Sequence, residues 1–348
     1  MGLLNDKKTP KMASPELLKE LIFLSKQLSK KNSSGFTKDL PLKEPKTEEQ
    51  ASSKEKQLRT YEEAFSFLKE TSDQLAHNER CSLEKDTEIS SKLIRGIQED
   101  NTLSSYVIGK KYSSDNVIHH SVNVTILALN IGLMLTDDEN ELIDIGKAAL
   151  LHDIGLFNVN NIVSKKSKLS PGEIQTIKKH TLYGFDILSP FGKDYDQIGK
   201  IILQTHERSS GHGYPKGLKG DEILDSAKII GIADVYESLT HERPYRKAFQ
   251  PHLALKQIIR EREFPKEVLK ALIQKISVFP EGSYVKLNNG VIGKVIKTNS
   301  LHPLKPVIEI LSSPQSVEHE EGKIVDMTGF PLIYITKLLS ENDSLSVS

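Results

Sequence analysis

The stretch Leu150-Leu151-His152-Asp153-Ile154-Gly155 constrains this chain more than any other. An apolar run, Ala148 to Leu151, carries an imidazole and a carboxylate side by side into what must be interior. A buried carboxylate beside a buried imidazole is unfavourable unless something pairs with both. A divalent cation does so, because neutral histidine nitrogen and aspartate oxygen are both ordinary ligands. Alone, such a pair is more often a helix-end or surface feature, so its meaning depends on what the rest of the chain brings to it.

The neighbouring segments bring more of the same chemistry. Val117 to Leu135 reads as a strongly apolar helix carrying His119 and His120, and Glu141 to Ile154 as the next, with Gly155 placed to end it. Ser170-Pro171-Gly172-Glu173 opens another, with Ser170 as N-cap, Pro171 at the first position and Glu173 completing a capping box. On it Ile174, Ile177, His180, Gly184 and Ile187 fall on one stripe. Asp196 to His206 is a shorter helix, with Ile198, Ile202 and His206 at four-residue spacing, and a glycine-dense loop follows from Ser210 to Gly220. Asp225 to Leu239 is helical again, with Ile230 and Asp234 one turn apart, and a last helix is expected from about Phe249 to Ile259. His120, His152 with Asp153, His180, His206 and Asp234 thus lie on apolar faces of five successive helices. Singly, each reads as a core histidine bonded to a backbone carbonyl or as a carboxylate capping a neighbour. Together their desolvation penalties accumulate, and four imidazoles with two carboxylates can hold two metal ions, Asp153 bridging them.

The remaining sequence bounds the setting. The chain has 348 residues, enough for two domains, and its 47 basic and 47 acidic residues give a formal net charge of zero. That balance argues against a DNA- or RNA-binding protein, which needs a basic excess or stripe. The single cysteine, Cys81, rules out an intramolecular disulfide framework and fits a reducing compartment. No segment approaches 18 continuous apolar residues, so no membrane span is expected, the N-terminus does not read as a secretory signal, and the expected location is cytoplasmic. Pro15 to Leu28 is an amphipathic helix with Ser14 as N-cap, and Ser29 to Gln57, rich in Lys, Ser, Glu and Pro, is expected to be a disordered linker. Residues 58–104 form a helical extension with one apolar face, suited to packing on the next domain or on a second copy as a homodimer. After a connecting helix at 263–280 the pattern switches to period two. Ser283 to Leu287, a turn at Asn288-Asn289-Gly290, and Val291 to Lys297 make a β-hairpin, with further strands at Val307 to Leu311 and Lys323 to Met327. A small β subdomain at 281–337 and a tail at 338–348 close the chain.

Taken in order, these residues resemble the HD superfamily of metal-dependent phosphohydrolases, whose pattern is His…His-Asp…His…His…Asp. They look more closely like its HD-GYP branch, bacterial phosphodiesterases acting on cyclic di-GMP. The resemblance covers 105–262. It rests on His120-Ser121-Val122-Asn123-Val124, Ala148 to Gly155, Lys168-Leu169-Ser170 with Glu173, Lys179-His180 with Gly184, His206-Glu207-Arg208, Gly211-His212-Gly213-Tyr214-Pro215, Leu218 to Ile223, Ile232-Ala233-Asp234-Val235-Tyr236 and Arg243-Pro244-Tyr245-Arg246. It implies a mainly α protein, an HD-superfamily helical bundle with a small C-terminal β appendix. It implies that His120, His152, Asp153 and Asp234 hold one divalent metal and Asp153, His180 and His206 the other, iron or manganese, with Asp153 as the bridging ligand that positions the attacking water. Arg243 and Arg246 would grip phosphate, and Glu207 with Gly213, Tyr214 and Pro215 would bind the substrate. The implied reaction is hydrolysis of cyclic di-GMP to pGpG and/or GMP in bacterial signal transduction. Three positions depart from the branch: Leu156 replaces its lysine, Thr205 its first histidine of a pair and Ser210 its aspartate. Asn116 stands where some members have a glutamate for a third metal, so two metals are expected. Leu156, three residues after Asp153, is expected to point toward the metal cleft, where a lysine would raise turnover at least about tenfold through transition-state electrostatics. Its loss gives the second reading, a slow or inactive relative that binds cyclic di-GMP and signals through partner proteins.

Overall fold

In a computed structural model of the protein, the described residues are 48–339 except 101, 110–116, 164, 166, 168, 244–245, 277, 280, 300–301 and 315–321. The helix expected at 15–28, most of the expected linker, Asn116 and the last nine residues lie outside them. The described residues divide into two compact units, 48–250 with 257–272, and 251–256 with 273–339.

In the first unit, α1 (Glu48–Ala76), α2 (Asp86–Glu99) and α3 (Thr102–Gly109) precede α4 (Val117–Gly132) and α5 (Glu139–Leu151). A 3-10 turn (Ile154–Val159) and the short α6 (Asn160–Val163) lead to α7 (Pro171–Lys178), α8 (His180–Leu188), α9 (Lys193–Gln204) and α10 (Asp225–Thr240); α11 (Pro251–Glu261) and α12 (Lys266–Lys275), which follow, are each divided between the two units. The centre is α4, α5 and α10. On α4 every residue from His120 to Gly132 is buried, and on α10 every residue from Ser226 to Leu239. A helix buried all round has neighbours on every side. Here α4 packs on α5 and α10, α2 lies on α5, α1 on α2 and α4, and α9 joins α5 to α8.

Three sequence expectations change. The linker expected to reach Gln57 is helical from Glu48, and Gln57 is itself buried, because α1 packs its apolar face on α2 and α4. The helical extension is therefore part of the core of this unit. The single helix expected from Ser170 breaks at Lys179 into α7 and α8. Its capping box is present, with Ser170 N–H donating to Glu173 Oε2 at 2.7 Å and Glu173 N–H to Ser170 Oγ at 3.3 Å. Finally, α5 stops at Leu151 rather than at Gly155, which lies inside the 3-10 turn. Gly155 serves close approach instead: a Cβ there would sit 2.0 Å from His180 O and 2.7 Å from Gly184 N.

The second unit carries a five-stranded antiparallel sheet of order β4-β3-β2-β1-β5, from β1 (Tyr284–Leu287), β2 (Ile292–Lys297), β3 (Val307–Ser312), β4 (Ile324–Asp326) and β5 (Ile335–Leu339). The hairpin turns at Gly290, whose φ of +88° is the left-handed conformation that its position demands. Val285, Val295, Ile308 and Ile310 fill the buried face. β5 went unread in the sequence because Thr336 and Lys337 are both exposed and no alternation marks it. No helix among the described residues is long and apolar enough to cross a membrane.

Candidate metal centre

The two helix breaks just described, with the end of α9 at Gln204, place three of the four histidines. His152 follows the last residue of α5, His180 starts α8 directly behind α7, and His206 lies beyond the end of α9. Carbonyls in the last turn of a helix lack intrahelical partners, and two of them orient rings here. His152 Nδ1–H donates to Ala149 O at 2.7 Å and His180 Nδ1–H to Ile177 O at 2.8 Å. With the proton on Nδ1, each Nε2 keeps its lone pair. His120, on α4, is oriented by another route: its Nδ1–H donates to Glu237 Oε2 on α10, in a short contact, so that Nε2 faces inward. Close packing completes the set. A Cβ on Gly231 would lie 2.6 Å from Thr205 O, and that approach brings Asp234 of α10 to His206.

All six expected ligands are brought together and buried. Asp153 stands between the imidazoles, with Oδ1 3.3 Å from His180 Nε2 and Oδ2 3.5 Å from His152 Nε2 and 3.6 Å from His120 Nε2. Asp234 Oδ1 is 3.2 Å from His120 Nε2, and Asp234 Oδ2 is 3.5 Å from His206 Nδ1. His180 Nε2 and His206 Nε2 face one another at 3.0 Å. Two groups converge closely enough to hold an ion, His120 with His152 and Asp153, and Asp153 with His180 and His206, the ligand atoms of each lying within 4.8 Å of one another. His120 Nε2, His152 Nε2, Asp153 Oδ1 and His206 Nδ1 are buried atoms without a hydrogen bond. Buried polar atoms of a folded protein are nearly always bonded, so a cluster of unbonded nitrogen and oxygen atoms fits divalent cations.

The electrostatics agree. Burial pushes His180 down to about 4 and His206 well below the usual histidine range, so both are neutral and offer lone pairs. Burial also opposes charge on Asp153, but the surrounding imidazoles of His152, His180 and His120 outweigh it and hold the carboxylate ionised. His120 is the exception. Burial is outweighed there by Glu237 and Asp234, and its value rises to about 9, so a cation binding at Nε2 displaces a proton.

The residues expected to contact substrate are placed differently from one another. Tyr214 stacks on His206 with ring centroids 4.9 Å apart and 11° between planes, forming one wall of the site. Gly213 lies against the backbone of Glu207 and Arg208, where a Cβ would come within 2.4 Å of Arg208 N, and Pro215 follows a cis peptide bond. Glu207 does not face the site's centre. Its carboxylate accepts the N–H groups of Lys216 at 2.7 Å, Gly217 at 3.1 Å and Leu218 at 3.0 Å, and so shapes the loop. Arg243 donates to Glu237 Oε2 at 2.9 Å, beside His120. Arg246 donates to Leu239 O, to Lys247 O and, in a short contact, to Ser238 O, closing the end of α10. Leu156 does not stand toward the imidazoles: it packs with Val159, Val163 and Ile177 in an apolar cluster that Val117, Ile162, Leu169 and Tyr183 border. Glu237, Asn123 and Lys178 were missed by the sequence reading. A polar residue three positions after a candidate ligand on a helix buried all round was the available signal for Glu237 and for Asn123; Lys178 carries none.

Residues 111–264 match the HD domain, and residues 284–346 match the KOW domain associated with it. The chain is 31% identical over 238 residues to the cyclic di-GMP phosphodiesterase PdeB of Borreliella burgdorferi, covering 67% of this chain and 62% of that one. It is 28% identical over 242 residues to a cyclic di-GMP phosphodiesterase of Pseudomonas aeruginosa, covering 69% of this chain and 58% of that one. The chain thus spans less than two thirds of the length of either relative. Its fold is similar to that of an HDGYP protein of Bdellovibrio bacteriovorus, with a TM-score of 0.50 at 20% identity over 61% of this chain and 69% of that one. With the candidate ligand constellation assembled, Tyr214 stacked on it and the matched segment enclosing both, residues 111–264 form an HD domain similar to those of cyclic di-GMP phosphodiesterases.

Proposed function

We propose that the chain hydrolyses the phosphodiester bonds of cyclic di-GMP to pGpG and/or GMP at a dinuclear centre. The observation that carries this reading is the cluster of buried, unbonded nitrogen and oxygen atoms on His120, His152, Asp153 and His206. His120, His152, Asp153 and Asp234 would hold one ion and Asp153, His180 and His206 the other. Iron or manganese bound there would activate a water and neutralise charge developing on the phosphate.

The chain's own residues do the rest. The Nδ1–H bonds to Ala149 O, Ile177 O and Glu237 fix the three rings so that Nε2 points inward. Tyr214 closes one wall, and burial raises its phenol so that it adds no negative charge beside an anionic substrate. Glu207 holds the loop that carries it. Arg243 and Arg246 are engaged by Glu237 and by the end of α10, and among the described residues Lys178, whose Nζ lies 5.3 Å from the Tyr214 ring centroid, is a further cation beside that wall for substrate phosphate. Cyclic di-GMP would be the chain's binding partner, and cytoplasmic signalling its setting.

The test is direct. Protein loaded with manganese or iron is incubated with cyclic di-GMP, and the nucleotides are separated by chromatography, with Asp153→Ala as the control. Product from wild type and none from the control is expected. Tight cyclic di-GMP binding with no product in either metal would instead establish the second reading, a receptor that signals through partners, which the apolar setting of Leu156 favours. Neither binding nor product would refute both.

A further inference from the structure

The matched domain begins at residue 111, yet a side chain from α1 reaches its metal centre. Tyr61 is fully buried, and its hydroxyl donates to Asn123 Oδ1 at 3.1 Å. His119 Nδ1 lies 3.1 Å from the same hydroxyl oxygen, which is left to accept its N–H. The Asn123 amide is thereby fixed one way round: with Oδ1 toward Tyr61, Nδ2 donates to Glu237 Oε1 at 3.1 Å. The other oxygen of Glu237 takes the Nδ1–H of His120. Turned over, the amide would set its oxygen against a carboxylate, acceptor to acceptor, and lose the Tyr61 hydroxyl as a donor to Oδ1. Asn123 and Glu237 are both buried, so water is not at hand to correct such an arrangement.

We propose that Tyr61 is a positioning residue of the metal centre. Through Asn123 and Glu237 it holds the His120 ring in the orientation in which Nε2 faces Asp153 and Asp234, and α1 is a working part of the site. The proposal rests on the metal-centre reading but not on the identity of the substrate. Groups bonded directly to a ligating histidine change metal affinity by about 10- to 100-fold when removed, and Tyr61 acts two bonds further out, so a smaller effect is expected.

The test uses the full chain and manganese alone. Tyr61→Phe keeps the ring and its edge contact with Tyr106, centroids 5.0 Å apart, and removes the hydroxyl. Calorimetric titration should show one manganese site weakened about three- to tenfold and the other unchanged, while the melting temperature of chelator-stripped protein stays within a few degrees of wild type. Adding Tyr61→Phe to Glu237→Gln should give no further weakening, because the path is already cut. Should Tyr61→Phe fail to fold, Asn123→Ser breaks the same path and should weaken the same site. Unchanged manganese affinity in whichever variant folds overturns the proposal. An effect fully additive with Glu237→Gln does so too, since it would mark Tyr61 as packing only. A wild-type protein that binds no manganese would refute the metal-centre reading itself, which is a separate outcome.

Discussion

Leu156→Lys restores the residue type usual in the branch, and the structure predicts that it harms the protein. Leu156 is 2% exposed, within the apolar cluster of Val159, Val163 and Ile177. A lysine there either keeps its charge in that cluster or loses its proton. Burial of this kind lowers a lysine by up to about 3–5 pKa units. Taking about 10.4 for the unfolded chain, deprotonation at pH 7 costs at most about 1.36 × 3.4, or roughly 4.6 kcal/mol. The ammonium can recover part of this by stretching to water along its apolar stem, so a net loss of about 2–4 kcal/mol is expected. For a unit of this size that corresponds to roughly 5–15 °C in melting temperature. The sign with pH follows. The folded-state value is lowered, so the folded protein binds fewer protons than the unfolded chain and the penalty shrinks as pH rises toward 10. Going from pH 7 to pH 9 should return at most about 2.7 kcal/mol of the loss. The assay is a thermal melt of chelator-stripped wild type, Leu156→Lys and the volume-conserving Leu156→Met at both pH values, with single-turnover rates on the metal-loaded proteins. Leu156→Met should lose less than about 1.5 kcal/mol. An unchanged melt for Leu156→Lys with a rate raised tenfold would refute this reasoning and restore the expectation that position 156 faces the cleft.

Other perturbations test the packing and the ligand shell. Gly155→Ala should abolish cooperative folding or lower stability by more than about 4 kcal/mol, because its Cβ would meet His180 O at 2.0 Å; denaturant titration measures it. Arg243→Ala should lower retained metal as well as any nucleotide binding, since Arg243 bonds the same Glu237 oxygen that orients His120; elemental analysis showing full metal content would instead return Arg243 to a substrate role. Asp86→Ala should lose about 3–5 kcal/mol: Asp86 accepts from Tyr195 at 2.7 Å and faces Lys147 at 3.7 Å in a buried site, and Asp86→Ala with Lys147→Met should recover part of the loss in the same melt.

The six candidate ligands were legible because polar groups on apolar helices are conspicuous in any periodicity, and the fold brings them together. What the pattern hid is how they are held. Four-residue spacing placed His206 within a helix, but it lies past the end of α9, and His180 starts a new helix rather than continuing one. Those breaks have physical work to do, since a ring just past a helix end can take a free carbonyl through Nδ1, as His152 and His180 do. Arg243 and Arg246 show the opposite limit. Sequence supplies the charge but not its partner, and a buried carboxylate such as Glu237 can claim an arginine before any ligand arrives. Leu156 and Tyr61 complete the point. One lies three residues from a ligand and packs away from the imidazoles, while the other lies 59 residues from His120 in sequence and is joined to it by hydrogen bonds. Proximity along the chain therefore says little about membership of this site; what decides membership is whether a group has a polar partner once the helices have closed around it.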